Sequence, residues 1–218
     1  MCVEKKEIVA YLQPKVDLQS GQIDGFEMLC RWQKERHQVL SPASFLPHIQ
    51  DSEVMIELDK YILKLALECL ASFDQQGLEC HLSVNVSAHF FTSENFLQFL
   101  QEHAQEHTQL TPRLTLEIVE SVALGDLEQA TERLQACRNL GLRIVLDDFG
   151  TGYCSLTYFK ALPIDEVKID RIFVKDFIAN PDNEAILTSI ISLTHQFGRR
   201  VVAEGGTQSH CFAVAACR

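Results

Sequence analysis

A (β/α) barrel is the fold class that this 218-residue sequence predicts, on three observations. Short apolar or alternating runs are each followed by a longer stretch of helical periodicity, the pattern of strands that alternate with helices. Almost every run ends in a polar or charged residue: Glu27, Asn85, Glu117, Asp147 with Asp148, Lys168 and Glu204. An open doubly wound sheet gathers its functional residues at one switch point, whereas a barrel draws them from the ends of many strands, so this distribution favours the barrel. Finally, 46% of the residues are hydrophobic, no Gly/Ser/Pro-rich linker divides the chain, and the length suffices for one large core, so residues 1–218 read as a single domain.

The elements follow in order. "EIVAYLQPKV" (7–16) and "IDGFEMLCRW" (23–32) are strand-like, and "DLQSGQ" between them reads as a hairpin turn that makes them antiparallel. A helical pattern spans 52–74, and "HLSVNVS" (81–87) then alternates, with Leu82, Val84 and Val86 on one face and Ser83 and Asn85 on the other. After a helix over 93–106, "LTLEIVE" (114–120) repeats the alternation, opposing Leu114, Leu116 and Ile118 to Thr115 and Glu117. Apolar faces suit an outer helix layer, so Asn85 and Glu117 are expected to point toward the barrel axis, where they could meet Asp147. A helix over 126–140, the strand "RIVLDDF" (143–149), a short helix over 155–161 and the strand "EVKID" (166–170) come next. Asn180-Pro181-Asp182 is a start signal for a helix over 182–197, and "RVVAEG" (200–205) is the final strand.

Composition excludes several functions. A net charge of −11 with no Lys/Arg stripe argues against a nucleic-acid polymer as partner, because counterion release needs a basic face. An anionic substrate must therefore be met locally, by metal ions or a few placed cations. The eight cysteines show no C-x-x-C pair and no zinc spacing, and read as free thiols of a reducing cytosol. No signal-peptide core and no run of about 18 apolar residues is present, so the expectation is a cytoplasmic domain without membrane contact.

Glu27, Asn85, Glu117, Asp147 and Asp148 offer only oxygen donors, four carboxylates and an amide, which suits Mg²⁺ or Mn²⁺ better than zinc or copper. Adjacent aspartates repel, and that repulsion is tolerated where two cations are bridged. Two such ions about 3.5 to 4 Å apart serve in-line displacement at phosphorus, which points to phosphate-ester hydrolysis. Lys168 could orient the attacking water or hold developing negative charge, and Glu204 could ligate the second ion or accept a proton. From pattern alone, a metal hydrolase and a barrel with a merely polar mouth both stay open.

The motifs decide further. "YLQPKVDLQSGQIDGFEMLCRW", "VNVS", "LEIVES", "DDFGTGY", "LPIDEVKIDRIFV" and "VVAEG" occur in the order found in EAL domains, and the chain from Tyr11 to about Gly205 resembles that bacterial family, which opens cyclic di-GMP to linear pGpG. Glu27-Met28-Leu29 stands where Glu-Ala-Leu names the family. The resemblance implies a TIM-like barrel with an antiparallel first strand and assigns two Mg²⁺ or Mn²⁺ ions to Glu27, Asn85, Glu117, Asp147 and Asp148. It places Lys168 and Glu204 beside the attacking water, gives Gln13 and Arg31 to the substrate, and makes Glu120 the support of the loop "FGTGYCSL", which couples the site to dimerisation. It further implies a homodimer and attached sensory or regulatory domains. A non-catalytic cyclic di-GMP receptor or protein-interaction module is the alternative function.

Two departures are conservative: Met28 replaces the family's alanine and Cys154 a serine. The end departs more. The family continues past "AEG" with a second glutamate, a further helix, an eighth strand bearing a glutamine and a last helix, whereas this sequence reads "AEGGTQSHCFAVAACR". The expectation is a C-terminally incomplete domain, its last β-α unit missing, with an unpaired strand edge.

Overall fold

Strand formation follows the alternating and β-branched runs closely, and helices fill the stretches between them. The computed structural model describes residues 7–35, 38–121, 126–151, 155–175, 177 and 180–205. The altered ending from residue 206 onward and Cys154 lie outside the described residues. The chain divides into two units, one of residues 1–16, 23–117 and 139–143, the other of residues 17–22, 118–138 and 144–218.

In the first unit, β1 (Ile8–Val16) and β2 (Ile23–Glu35) are antiparallel, with Gln13 opposite Glu27 and Lys15 opposite Gly25. This is the antiparallel first strand that the hairpin turn predicts. A short β3 (Gln38–Leu40) extends the hairpin on the far side of β2. Helix α1 (Glu53–Gln75) presents Met55, Leu58, Ile62, Ala66 and Leu70 as a buried stripe at helical spacing. β4 (Leu82–Val86) then runs parallel to β2, with Glu27 beside Ser83. Gly25 is required there. A Cβ on it would lie 2.8 Å from the His81 carbonyl oxygen, which accepts the Phe26 amide at 2.9 Å. Helix α2 (Ala88–Thr92) is capped by Ser87, whose hydroxyl accepts the Phe90 amide. Helix α3 (Phe96–Glu106) and β5 (Leu114–Val119) complete the unit, with strand order β1-β2-β4-β5. Its core centres on Phe90, which meets Phe96 and Phe99 edge-on at 5.2 and 5.7 Å. Such burial stabilises by about 1.5 to 3 kcal/mol per ring.

In the second unit, α4 (Leu127–Asn139) precedes β6 (Arg143–Phe149), then α5 (Leu156–Ala161), β7 (Glu166–Ile169), α6 (Arg171–Val174), α7 (Pro181–Gln196) and β8 (Arg200–Ala203). The order β6-β7-β8 is parallel throughout. The Asn180 side chain caps α7 by accepting the Asp182 amide, as its start signal requires. Arg199 is buried and donates to the carbonyls of Phe159 and Leu162 at 2.6 and 2.8 Å, with its guanidinium 4.4 Å from the Phe159 ring centre. It thereby satisfies carbonyls at the end of α5 that have no partner within that helix.

No helix among the described residues is long and apolar enough to cross a membrane. Cys30, Cys69, Cys80 and Cys137 are free thiols. Burial pushes Cys137 up to about 12 and Cys30 up to about 11, which disfavours the nucleophilic thiolate at both.

Candidate active site

The strand-end residues form two groups, one in each unit. In the first unit, Asn85 projects from β4 and donates through Nδ2 to Glu27 Oε1 on β2 at 2.9 Å. Asn85 is exposed, whereas Val84 and Val86 on the opposite face of the strand are buried. Glu117 on β5 is 1% exposed, and its Oε1 accepts from Lys15 Nζ on β1 at 3.4 Å. Gln13 is exposed on β1, opposite Glu27. Arg31 stacks its guanidinium 5.5 Å from the Tyr11 ring centre and donates to the Cys30 carbonyl at 2.8 Å.

In the second unit the carboxylates are crowded. Leu146 is in register with Val167 and Phe149 with Ile169, so β6 carries one residue more than β7 between the two pairs. That bulge contains Asp147 and Asp148, and Asp148 takes φ 56°, in the left-handed region. In a regular strand, consecutive side chains point to opposite faces. The bulge lets two adjacent carboxylates serve one cluster. Asp147 accepts from Lys168 Nζ at 3.4 Å, and from the Asp148 amide at 2.8 Å. Lys168 is 4% exposed and lies 2.8 Å from Glu204 Oε1. Oxygens of Asp148, Asp170 and Glu204 lie within 4.8 Å of one another. Burial raises the Asp148 carboxyl above its ordinary value, and the negative charges of Asp170 and Glu204 raise it further.

Lys168 pairs with the strand-end carboxylates rather than with Asp165, which instead accepts the Ile144 amide and pairs with Arg138. Asp170 is absent from the sequence-derived candidates. It stands two residues after Lys168, so strand alternation signals its side, but it also caps α6 by accepting the Ile172 amide at 2.7 Å. That capping role hides the other. Glu120 is 3% exposed and accepts the Gly150 amide at 3.0 Å, which ties down the turn after Asp148. Gly150 adopts φ 95°, and a Cβ there would lie 3.0 Å from the Phe173 ring, so only glycine suits the turn.

The donor set fits a hard divalent ion. All donors are oxygens, Asp148, Asp170 and Glu204 converge, and the proton affinity of Asp148 rises through burial first and through its negative neighbours second.

The family model of the EAL domain matches residues 1–209. A cyclic di-GMP phosphodiesterase of Pseudomonas aeruginosa is 36% identical over 193 residues, covering 88% of this chain and 33% of that protein. The bifunctional diguanylate cyclase/cyclic di-GMP phosphodiesterase MucR of the same species is 31% identical over 204 residues, covering 93% of this chain and 30% of that protein. Among solved structures, the MucR phosphodiesterase in complex with c-di-GMP superposes with a TM-score of 0.91 at 29% identity, covering 99% of this chain and 88% of that one. An EAL enzyme in its cAMP- and cyclic di-GMP-bound form also gives 0.91, at 31% identity, covering 99% and 60%. The chain spans about a third of the length of the curated relatives it matches.

Proposed function

This chain belongs to the EAL domain family, whose fold is a TIM-like α/β barrel, and from that premise we propose that it hydrolyses cyclic di-GMP to linear pGpG with the aid of Mg²⁺ or Mn²⁺. The observation that carries the metal dependence is the convergence of Asp148, Asp170 and Glu204, with the upward shift of Asp148 that their charges add to. Glu27, Asn85, Glu117, Asp147 and Asp148 are proposed as ligands of two ions. Ions held there would supply a more acidic water and a counter-charge for the phosphoryl oxygens.

The chain's own residues supply the rest. Lys168 touches both Asp147 and Glu204, so it fixes their carboxylates relative to each other and offers an ammonium to negative charge at phosphorus. Glu204, held by that contact, is the proton acceptor. Gln13 and Arg31 are proposed to bind the substrate. Arg31 brings a planar, permanently charged fork to an acidic protein and is already oriented by Tyr11. Glu120 keeps the turn at Gly150, and with it the bulged aspartates, in place. Sensory or regulatory domains are proposed beyond this chain, because the relatives are about three times as long. A homodimer acting in the cytoplasm completes the proposal.

The test is incubation of the purified chain with cyclic di-GMP and Mn²⁺ or Mg²⁺, with pGpG as the expected product. Replacing either ion by Ca²⁺ should suppress turnover, because Ca²⁺ takes longer bonds and looser coordination. Saturable binding of cyclic di-GMP with no pGpG under any ion would instead make the chain a receptor.

A further inference from the structure

Lys15 reaches an unusual partner. It lies on β1 and Glu117 on β5, and in the first unit the strand order β1-β2-β4-β5 puts two strands between them. Neighbouring strands are about 4.8 Å apart, so a flat sheet would separate the two backbones by about 14 Å. Nζ and Oε1 nevertheless stand 3.4 Å apart, so the ion pair forms a chord across the polar face of this unit.

The two carboxylates of this unit are therefore partnered differently. Glu27 accepts from the neutral amide of Asn85, and Glu117 from a full positive charge. The Glu117 side chain is 0% exposed and that of Lys15 20%. A carboxylate so far from water is sensitive to the loss of a nearby counter-charge, because burial disfavours its charged form. Any divalent ion on the same carboxylate must share it with the ammonium, and the two cations repel across a short, poorly screened distance.

We propose that Lys15 is a positioning residue that acts through Glu117: its ammonium holds the carboxylate in place and lowers the affinity of that carboxylate for a divalent ion. The inference rests on the reading of Glu117 as a metal ligand. An acidic protein with such a device keeps its ions exchangeable and its carboxylates ordered.

The experiment is a Mn²⁺ titration by calorimetry, with thermal melting in parallel, on the wild-type chain and on Lys15→Met, Lys15→Arg and the double variant Lys15→Met/Glu117→Gln. Lys15→Met should melt lower than wild type without Mn²⁺, bind Mn²⁺ about tenfold more tightly, and regain its melting temperature when the ion is added. Lys15→Arg should restore both properties. The double variant should melt higher than Lys15→Met, because it removes both charges of the pair, and should bind Mn²⁺ more weakly than wild type. A purely structural lysine predicts a lower melting temperature with unchanged or weaker Mn²⁺ affinity, and either result overturns the inference. If Lys15→Met does not fold, Lys15→Gln carries the same comparison: tighter Mn²⁺ binding than wild type supports the inference, and unchanged or weaker binding overturns it. Wild-type chain without saturable Mn²⁺ binding removes the metal reading itself, and a saturable wild type indifferent to Lys15 removes only this inference.

Discussion

The polar strand ends of the first unit are spaced one to a strand and each has its own partner, whereas those of the second are crowded around Lys168. Asn85 donates to Glu27, and Lys15 faces Glu117 from β1, beside the register shift between Lys15 and Val16. Asp147, Asp148, Asp170 and Glu204 share one short stretch of β6, β7 and β8, and they need a bulge and a left-handed aspartate to do so. In the first unit a neutral amide faces Glu27 and an ammonium faces Glu117. In the second, Lys168 faces Asp147 and Glu204, and the charges of Asp170 and Glu204 add to the rise at Asp148.

The largest expected effect comes from removing one proposed ligand from each unit. Asp147→Ala and Glu27→Ala should each cost at least about 100-fold in the rate of cyclic di-GMP hydrolysis, with unchanged circular dichroism. If Glu27→Ala retained a near wild-type rate while Asp147→Ala did not, the chemistry would belong to the second unit alone. Asp170→Asn ranks next, at about 10- to 100-fold, because it removes charge from the cluster while keeping an oxygen there. Asparagine also caps helices well, so the melting temperature should barely move. A large drop would show that Asp170 serves α6 more than the cluster.

How much of this was legible depended on regularity. Alternation in "HLSVNVS" and "LTLEIVE" singles out Asn85 and Glu117 because those strands are regular, and the paired aspartates announce themselves by their mutual repulsion. The bulge that makes the pair usable has no marker before Gly150. Lys15 could not be matched to Glu117, 102 residues away, because its partner depends on how strands stack rather than on local pattern. Helices α2 and α6 were missed for a related reason: five and four residues carry too little periodicity to show. The hairpin, the longer helices and the strand order within each unit follow from signals that are local and repeated.

The first unit has a raised carboxyl of its own, and it sharpens the contrast. Asp59 on α1 is 4% exposed, and burial pushes it up to about 7, although the hydroxyl and amide of Ser87 both donate to it and pull it down. The folded state therefore holds a proton that the unfolded chain releases near the ordinary value of 3.8. This stability is fully present below about pH 4 and is lost as the pH rises through about 7, at up to about 1.4 kcal/mol per pH unit. Asp59→Asn should flatten that slope in melting experiments across pH 4 to 7. Mn²⁺ should leave the Asp59 contribution untouched, since burial and the Ser87 hydrogen bonds set it and no neighbouring carboxylate adds to it. In the second unit, Mn²⁺ binding should instead weaken as the pH falls, beginning at a higher pH than for an ordinary carboxylate, because Asp148 is raised.

The smallest expected effect isolates the strain. Asp148 combines a left-handed backbone at φ 56° with neighbouring negative charges, and both act against the folded state. Asp148→Gly relieves the first and removes the second. It should stabilise the chain by about 1 kcal/mol, or about 2 to 4 °C in melting temperature, while Mn²⁺ ceases to raise that temperature further. Asn85→Ala is the control in the first unit, where the backbone is a regular strand and the amide donates to Glu27. It should bring no stabilisation. A chain that tolerates a strained, repelled aspartate only because an ion uses it must gain stability when that aspartate is removed. If Asp148→Gly melts no higher than wild type, the bulge is relaxed, and the crowding of the second unit is no reserve held for a cation.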